Sequence, residues 1–195
     1  LASEDTGQVG RNLLKISDLA GRMARIIKNL KAFARQESEP ASRVDLVAVA
    51  DAAVELTEPV MAREGIALTR DLPTAPVWVE GGEVRLSQVV VNLITNAVDA
   101  MADSPEKRIH VTVTDDPEPL IRVRDTGPGI ADPGKIFEPF YTTKSVGEGE
   151  GTGLGLSISY GLVQSFGGNI SGENGPEGGA IFTVRLKPWA AEMAA

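Results

Sequence analysis

The sequence contains no cysteine and a single histidine among its 195 residues, and aromatic residues make up only 5% of it. The absence of cysteine excludes a disulfide framework and any zinc or iron–sulfur site that depends on thiolate ligands. Few aromatic side chains are available to stack on bases, and a net charge of −8 repels phosphate backbones. A nucleic-acid partner is therefore not expected.

Long apolar runs are also missing, and none approaches the roughly 20 residues that a helix needs to cross a bilayer. No secretory signal opens the chain, which starts with leucine and not with methionine. Hydrophobic residues make up 42% of the sequence, which is enough for a packed core. We expect a soluble, cytoplasmic piece of a longer protein, with no membrane contact of its own.

Residues 8–36 have the spacing of one long helix. Apolar residues follow at alternating steps of four and three, the seam of a coiled coil or helix bundle: Val9, Leu13, Ile16, Ala20, Met23, Ile27, Leu30 and Ala34. Between residues 10 and 36 there are seven basic residues and one acid, so the opposite face is strongly basic. The seam requires partner helices, and the basic face is either solvated or docks an acidic partner.

Residues 41–189 predict a unit of the α+β class, a two-layer α/β sandwich with a mixed sheet. Pro40 and Ser42 mark a linker, a new unit begins near Val44, and residues 190–195 are a tail. Periodicity predicts helices over 46–63 (with Pro59 as a possible break), 86–101 and 156–166. Alternation predicts strands over 66–71, 77–79, 108–114, 120–124, 169–172 and 180–187.

Two amides, Asn92 and Asn96, lie four residues apart on an otherwise apolar helix and so share one face. Amides are costly among apolar neighbours unless something satisfies them. Hydrated Mg²⁺ and phosphate oxygens would do so, because Mg²⁺ takes oxygen ligands and keeps several waters. A buried structural network is an equally good interpretation of this pair alone.

A carboxylate follows the strand over 120–124 directly, in Asp125-Thr126-Gly127-Pro128-Gly129. Beside glycines that leave room, such a carboxylate can accept a hydrogen bond from an exocyclic amine. An ordinary turn that contains Asp is the alternative interpretation.

Two further motifs follow in a glycine-rich stretch that holds 15 of the 21 glycines between Gly127 and Gly179. Aromatic residues precede a cation in the segment from Phe137 to Lys144, so the rings could anchor a loop while Lys144 reaches phosphate. The run Gly151-Thr152-Gly153-Leu154-Gly155-Leu156-Ser157 then enters a helix, and its backbone N–H groups favour an anion.

Neither of the two common nucleotide-binding signatures is present. The G-x-G-x-G spacing differs from the dinucleotide fingerprint G-x-G-x-x-G. The segment from Gly129 to Lys135 approaches a P-loop, but Ile136 stands where Ser or Thr would hold Mg²⁺.

In this order, the four motifs resemble the N box, first glycine box, F box and second glycine box of sensor histidine kinases, whose superfamily includes gyrase, Hsp90 and MutL-type ATPases. The resemblance covers about residues 44–187 and implies the Bergerat ATP-binding fold. Residues 1–40 resemble part of the second helix of a dimerisation and histidine-phosphotransfer hairpin. The N box Asn96-Ala97-Val98-Asp99-Ala100 is similar to that of nitrogen-regulation and C4-dicarboxylate sensor kinases.

The resemblance implies ATP and Mg²⁺ as ligands and a role for each matching residue. Asn96 would bind the metal, Asn92 would lie beside the phosphates, and Asp125 would hold the adenine amine. Lys144 would meet the phosphates. The remaining expected nucleotide contacts are Gly127, Gly129 and Ile130 around the base, and Gly151, Thr152, Gly153, Leu154, Gly155 and Leu156 at the phosphate end.

The resemblance also implies partners for the full-length protein: the acceptor-histidine helix of its own hairpin, a response regulator and a second copy in a homodimer, with an inner-membrane anchor compatible with the pattern. ATPases of the superfamily have a general-base Glu where this chain has Asn92, so transfer to a protein is favoured over hydrolysis. His110 is predicted to be a strand residue and not the phosphoacceptor. No catalytic residue is assigned within this chain.

Two other functions share these motifs. A serine/threonine kinase of the anti-sigma type has the same boxes, although its domain normally lacks a long basic heptad helix. A nucleotide-gated interaction module without catalysis is the non-enzymatic alternative.

Overall fold

The computed structural model describes residues 41–142 and 153–190. The predicted helix over 8–36, the domain boundary at residue 40 and nearly all of the predicted tail lie outside the described residues. So do three of the expected nucleotide contacts, Lys144, Gly151 and Thr152.

The described chain forms a five-stranded mixed sheet that is covered by helices on one face. The sheet contains β2 (Ala67–Asp71), β4 (Arg108–Thr114), β5 (Leu120–Asp125), β6 (Asn169–Asn174) and β7 (Ala180–Arg185), in the order β2-β4-β5-β7-β6. β2 and β4 are parallel, and the other pairs are antiparallel. The helices are α1 (Leu46–Arg63), α2 (Glu83–Ala100) and α3 (Gly155–Ser165). The predicted fold class, a two-layer sandwich with a mixed sheet, is confirmed.

Alternation along the central strands decides which face is covered. In β4, Ile109, Val111 and Val113 are buried against the helix layer, whereas His110 is exposed on the opposite face. A period of two therefore places the single histidine of the sequence on the outer surface of the sheet.

A second, two-stranded sheet corrects the prediction for Ser42. This residue is not in a linker: β1 (Ser42–Asp45) pairs antiparallel with β3 (Trp78–Gly81), and the Ser42 hydroxyl donates to the Gly81 carbonyl at 3.2 Å. Asp45 then caps α1, because its Oδ1 accepts from Val47 N–H at 3.0 Å. A four-residue strand gives little sequence signal of its own, and β1 forms because β3, which the chain reaches more than 30 residues later, pairs with it.

The predicted break at Pro59 does not occur, since α1 continues through it to Arg63. Proline removes one N–H and so leaves the carbonyl of Glu55 without its helical partner. Both residues are exposed, and water can satisfy that carbonyl. Buried residues on either side of the proline, among them Ala53 and Met61, keep the helix on the core. No described helix is long and apolar enough to cross a membrane.

The turn between β6 and β7 brings backbone against the end of β5. Gly178 and Gly179 both have positive φ, +93° and +76°, a conformation that costs L residues with a side chain about 1–2 kcal/mol. A Cβ on Gly179 would lie 1.9 Å from the carbonyl oxygen of Asp125, whereas a Cβ on Gly178 would meet nothing within 4 Å. Glycine at 179 is therefore required by close approach as well as by φ.

These two glycines provide a matched test. Gly178→Ala should lower the free energy of unfolding by about 1–2 kcal/mol through backbone strain alone. Gly179→Ala should lower it by clearly more, because the backbone of β5 must shift as well. Urea denaturation of both variants measures the difference. Equal losses would contradict the close packing of the turn against Asp125.

Candidate functional site

A cavity of about 520 Å³ lies between α2, the end of β5 and the start of α3. It brings together eight residues that the sequence motifs singled out: Asn92, Asn96, Asp125, Gly129, Ile130, Gly153, Gly155 and Leu156. Two further predicted residues do not line it. Gly127 contributes only through its backbone N–H to Asp125, and Leu154 is buried just before α3.

Asp125 is the most strongly constrained polar group of this cavity. Its side chain is 3% exposed, and its Oδ1 accepts from the N–H groups of Gly127 at 2.8 Å and Ala180 at 3.1 Å. No described residue donates to Oδ2. Burial raises the pKa of the Asp125 carboxyl, and the two backbone hydrogen bonds act in the opposite direction. One carboxylate oxygen is thus fixed by the fold, and the other is free to accept from a ligand.

Asn96 and Asn92 lie on the cavity side of α2 but in different surroundings. The half-buried Asn96 amide forms no hydrogen bond with another described residue, so its oxygen is available as a ligand. Asn92 instead donates through Nδ2 to the Ser159 hydroxyl at 3.0 Å. A Cβ on Gly155 would lie 2.4 Å from Asn92 Oδ1, so glycine at 155 lets α3 approach α2 here.

The two ends of the segment 143–152 are joined by backbone. Phe140 N–H donates to the Gly153 carbonyl at 2.9 Å, and a Cβ on Gly153 would lie 2.5 Å from the backbone of Phe140. The expected aromatic anchor is only partly correct. Phe137 packs against the core with its ring centroid 5.6 Å from that of Tyr160, but Phe140 is 69% exposed. Phe140 also has a positive φ of 67°.

Several lining residues were not among the expected nucleotide contacts. They come from four separate parts of the chain: Val60, Arg63, Thr95, Ala97, Val98, Asp99, Ala100, Ala131, Ile136, Tyr141, Thr142, Ala180 and Phe182. Arg63 is the single basic residue among the described lining residues, against two acids. Asp99 and Ala100 could have been found from the N box motif, to which both belong. Ala180 gives no such signal, because it acts through a backbone N–H that any residue except proline supplies.

Another missed residue, Asn174, lies outside the cavity but holds its wall. The Asn174 side chain accepts from Ile130 N–H at 2.6 Å and donates to the Ile130 carbonyl at 3.0 Å. Among the described residues, no group of three or more His, Cys, Asp or Glu side chains could hold a metal ion. A metal at this site would therefore depend on Asn96 together with oxygens of a ligand and water.

Asp125→Asn should test the burial of the carboxylate through the pH dependence of stability. Because the pKa is raised in the folded state, the ionised carboxylate lowers the free energy of unfolding at neutral pH, and this cost vanishes below the ordinary value of 3.8. The amide keeps the Oδ1 acceptor and carries no charge. We expect the variant to be at least as stable as the wild type at pH 7.

The stability difference between the two proteins should shrink as the pH falls towards 4. Urea unfolding at several pH values measures it. A variant less stable at pH 7, or a difference that does not change with pH, would contradict this account.

The sequence comparisons identify the family to which these features belong. Residues 81–190 match the family described as histidine kinase-, DNA gyrase B-, and HSP90-like ATPase. The C4-dicarboxylate transport sensor protein DctB of Pseudomonas aeruginosa is 39% identical over 188 residues, which cover 94% of this chain and 30% of that protein. DctB of Rhizobium meliloti is 35% identical, with coverage of 93% and 29%. The chain thus spans less than a third of the length of these relatives.

Solved structures agree with the sequence relatives. The nucleotide-free catalytic domain of histidine kinase ThkA is 27% identical and superposes with a TM-score of 0.65, covering 77% of this chain and 98% of that domain. Full-length ShkA in complex with AMPPNP is 25% identical with a TM-score of 0.70, covering 87% of this chain and 37% of that one.

These matches confirm the family that the four motifs predicted, including its similarity to C4-dicarboxylate sensors. The chain belongs to the histidine kinase-, DNA gyrase B- and HSP90-like ATPases, as a catalytic and ATP-binding domain of the sensor histidine kinase type.

Proposed function

We propose that this chain binds ATP with Mg²⁺ and presents the γ-phosphate to a histidine on a dimerisation hairpin. The phosphoryl group then passes from that histidine to a response regulator. In the full-length protein the domain acts in the cytoplasm as part of a homodimer. The observation that carries the proposal is the buried Asp125 carboxylate, whose Oδ2 remains available in a cavity of about 520 Å³.

The base end of the cavity suits adenine. A carboxylate oxygen accepts a hydrogen bond from an exocyclic amine, and the same position in guanine carries an oxygen that a carboxylate would repel. Leaving such a buried acceptor without its donor costs about 1–3 kcal/mol, or roughly 5- to 150-fold in affinity. Asp125 thus supports selection of ATP over GTP.

The phosphate end needs added positive charge. The described lining residues include one basic side chain, Arg63, and two acids, Asp99 and Asp125, whereas a triphosphate carries several negative charges. The Asn96 amide oxygen fits Mg²⁺, which prefers oxygen ligands. When bound, Mg²⁺ would neutralise phosphate charge. Lys144 remains the sequence-based expectation for a further phosphate contact.

Transfer to a protein acceptor is supported by the side chain of Asn92. An amide does not take a proton at neutral pH, so this position cannot activate water as a general base. Its Nδ2 is also occupied by the hydrogen bond to Ser159. Hydrolysis of bound ATP should consequently be slow, which preserves the γ-phosphate for an acceptor that is positioned in line with it.

The relatives support the signalling context. DctB and the Rhodobacter capsulatus protein DctS are both described as C4-dicarboxylate transport sensors. The ThkA kinase, which shares the fold at 23% identity, has been solved in complex with the response regulator protein TrrA. A response regulator is therefore the partner we propose downstream of the hairpin.

Asn96→Ala should separate a metal ligand from a structural amide. We expect Mg-ATP affinity to fall by roughly 10- to 100-fold, the scale found when metal sites lose supporting groups. Metal-free ATP affinity and the melting temperature should change little, because Asn96 has no hydrogen-bond partner among the described residues. Calorimetric titrations with Mg²⁺ and with a chelator measure both affinities. Equal losses in the two titrations, with a lower melting temperature, would indicate a structural role.

This chain alone should bind Mg-ATP without phosphorylating itself on histidine. His110 lies in β4 on the exposed face of the sheet, whereas the cavity lies on the helix side. A residue in the middle of a paired strand cannot move through the sheet to reach the γ-phosphate. Added hairpin that bears an acceptor histidine should become labelled in trans.

Labelled ATP is incubated with the chain, with and without the hairpin, and the product is treated with acid, which hydrolyses phosphohistidine. His110→Ala is the control and should label the hairpin as well as the wild type does. Acid-labile label on the chain alone that disappears in His110→Ala would overturn the assignment. Acid-stable label on serine or threonine would favour the anti-sigma type of kinase.

A further inference from the structure

The amide of Asn174 forms a two-point contact with the cavity wall from outside the cavity. Its Oδ1 accepts from Ile130 N–H at 2.6 Å, and its Nδ2 donates to the Ile130 carbonyl at 3.0 Å. Asn174 is exposed at the end of β6, 44 residues from Ile130 along the chain. The oxygen and the nitrogen of one side-chain amide thus both form hydrogen bonds with the backbone of a single residue, Ile130.

The adjacent residue shows how closely the two segments approach. Gly129 has a φ of +83°, and a Cβ at this position would lie 2.6 Å from Asn174 Oδ1. Gly129 and Ile130 both line the cavity, whereas Asn174 does not. The location of this wall therefore depends on a residue that makes no contact with the cavity itself.

The other end of the same turn holds the opposite side of the base pocket. Ala180 N–H donates to Asp125 Oδ1 at 3.1 Å, and Gly179 packs on the Asp125 carbonyl. Gly175 N–H donates to the Gly179 carbonyl at 2.9 Å and so joins the two ends of the turn. Segment 174–180 is a single backbone unit that contacts both Ile130 and Asp125.

We propose that Asn174 is a positioning residue for the adenine base. Through the β6–β7 turn, it sets the distance between the wall at Gly129 and Ile130 and the carboxylate of Asp125. The proposal rests on the proposed ATP-binding function. It means that Asn174 affects the contacts of the protein with the adenine base and leaves the contacts with the phosphates unchanged.

A merely structural hydrogen bond at the surface would behave differently. Its loss would lower stability and would reduce the affinity for every ligand of the folded domain in the same proportion. A positioning role instead predicts a loss of ATP affinity that depends on Asp125 and occurs without a fall in the melting temperature. The distinction can be measured because, in the proposed function, Asp125 contacts the adenine base whereas Asn96 acts through Mg²⁺ at the phosphates.

Asn174→Ala is the test variant, and Asn169→Ala is its matched control. Asn169 is an exposed asparagine at the other end of β6, and its side chain forms no hydrogen bond with a described residue. ATP affinity measured by calorimetry should fall at least about fivefold in Asn174→Ala, since the wall at Ile130 is no longer held at its distance from Asp125 and the contact with the base is weakened. It should stay within about twofold of the wild type in Asn169→Ala. The melting temperatures of both variants should remain close to that of the wild type.

Two further measurements identify the route of the effect. The ratio of ATP affinities with and without Mg²⁺ should be the same in Asn174→Ala as in the wild type. In a double-mutant cycle, Asn174→Ala should cost clearly less in the Asp125→Asn background, because the contact that it positions is already lost. Additive losses, or a wild-type ATP affinity in Asn174→Ala, would overturn the proposal.

The outcomes also separate this inference from the proposed function. If the wild-type chain itself fails to bind ATP, the proposed function is wrong and the role of Asn174 is overturned with it. If the wild type binds ATP and Asn174→Ala binds it equally well, only the positioning role is wrong.

Discussion

A carboxylate that is 3% exposed is held at the end of β5 by two backbone N–H groups, and the cavity is arranged around it. One donor, Gly127, lies two residues after Asp125, whereas the other, Ala180, is the first residue of β7. The second bond exists only if β5 and β7 pair in their observed register and if the turn before β7 can lie against the Asp125 carbonyl. Glycine at 179 meets that condition because it has no Cβ, which would overlap the Asp125 carbonyl oxygen.

The same carboxylate is a cost to the fold. Burial raises its pKa, so ionisation at neutral pH opposes folding, and the two hydrogen bonds on Oδ1 only partly offset this. In the proposed function, a ligand that donates to Oδ2 accounts for this cost. The half-buried Asn96 amide, without a hydrogen-bond partner among the described residues, has a similar explanation. The proposed function assigns both groups to ligand binding.

Most of the fold could be predicted because periodicity reports directly on burial. The observed α1 has the predicted bounds, and β4 alternates as Ile109, His110 and Val111 indicated. The errors occur where a distant partner decides the local structure. Ser42 joins a strand because β3 lies beside it. Phe140 has its backbone hydrogen-bonded to Gly153 and its side chain exposed. Pro59 stays within α1 because the core holds the helix on both sides of it.

The polar groups of the candidate site could be predicted from the sequence: amides at 92 and 96, a carboxylate at 125 and glycines at 129, 153 and 155. These follow from motifs of neighbouring residues, whose spacing is visible along the chain. Which of these groups remain free for a ligand depends on contacts between distant parts of the chain. Asn92 is engaged by Ser159, and one oxygen of Asp125 is engaged by Ala180, while Asn174 holds Ile130 from outside the cavity. Such contacts join residues 44 to 67 positions apart, and backbone donors and acceptors leave no trace in the identity of a side chain.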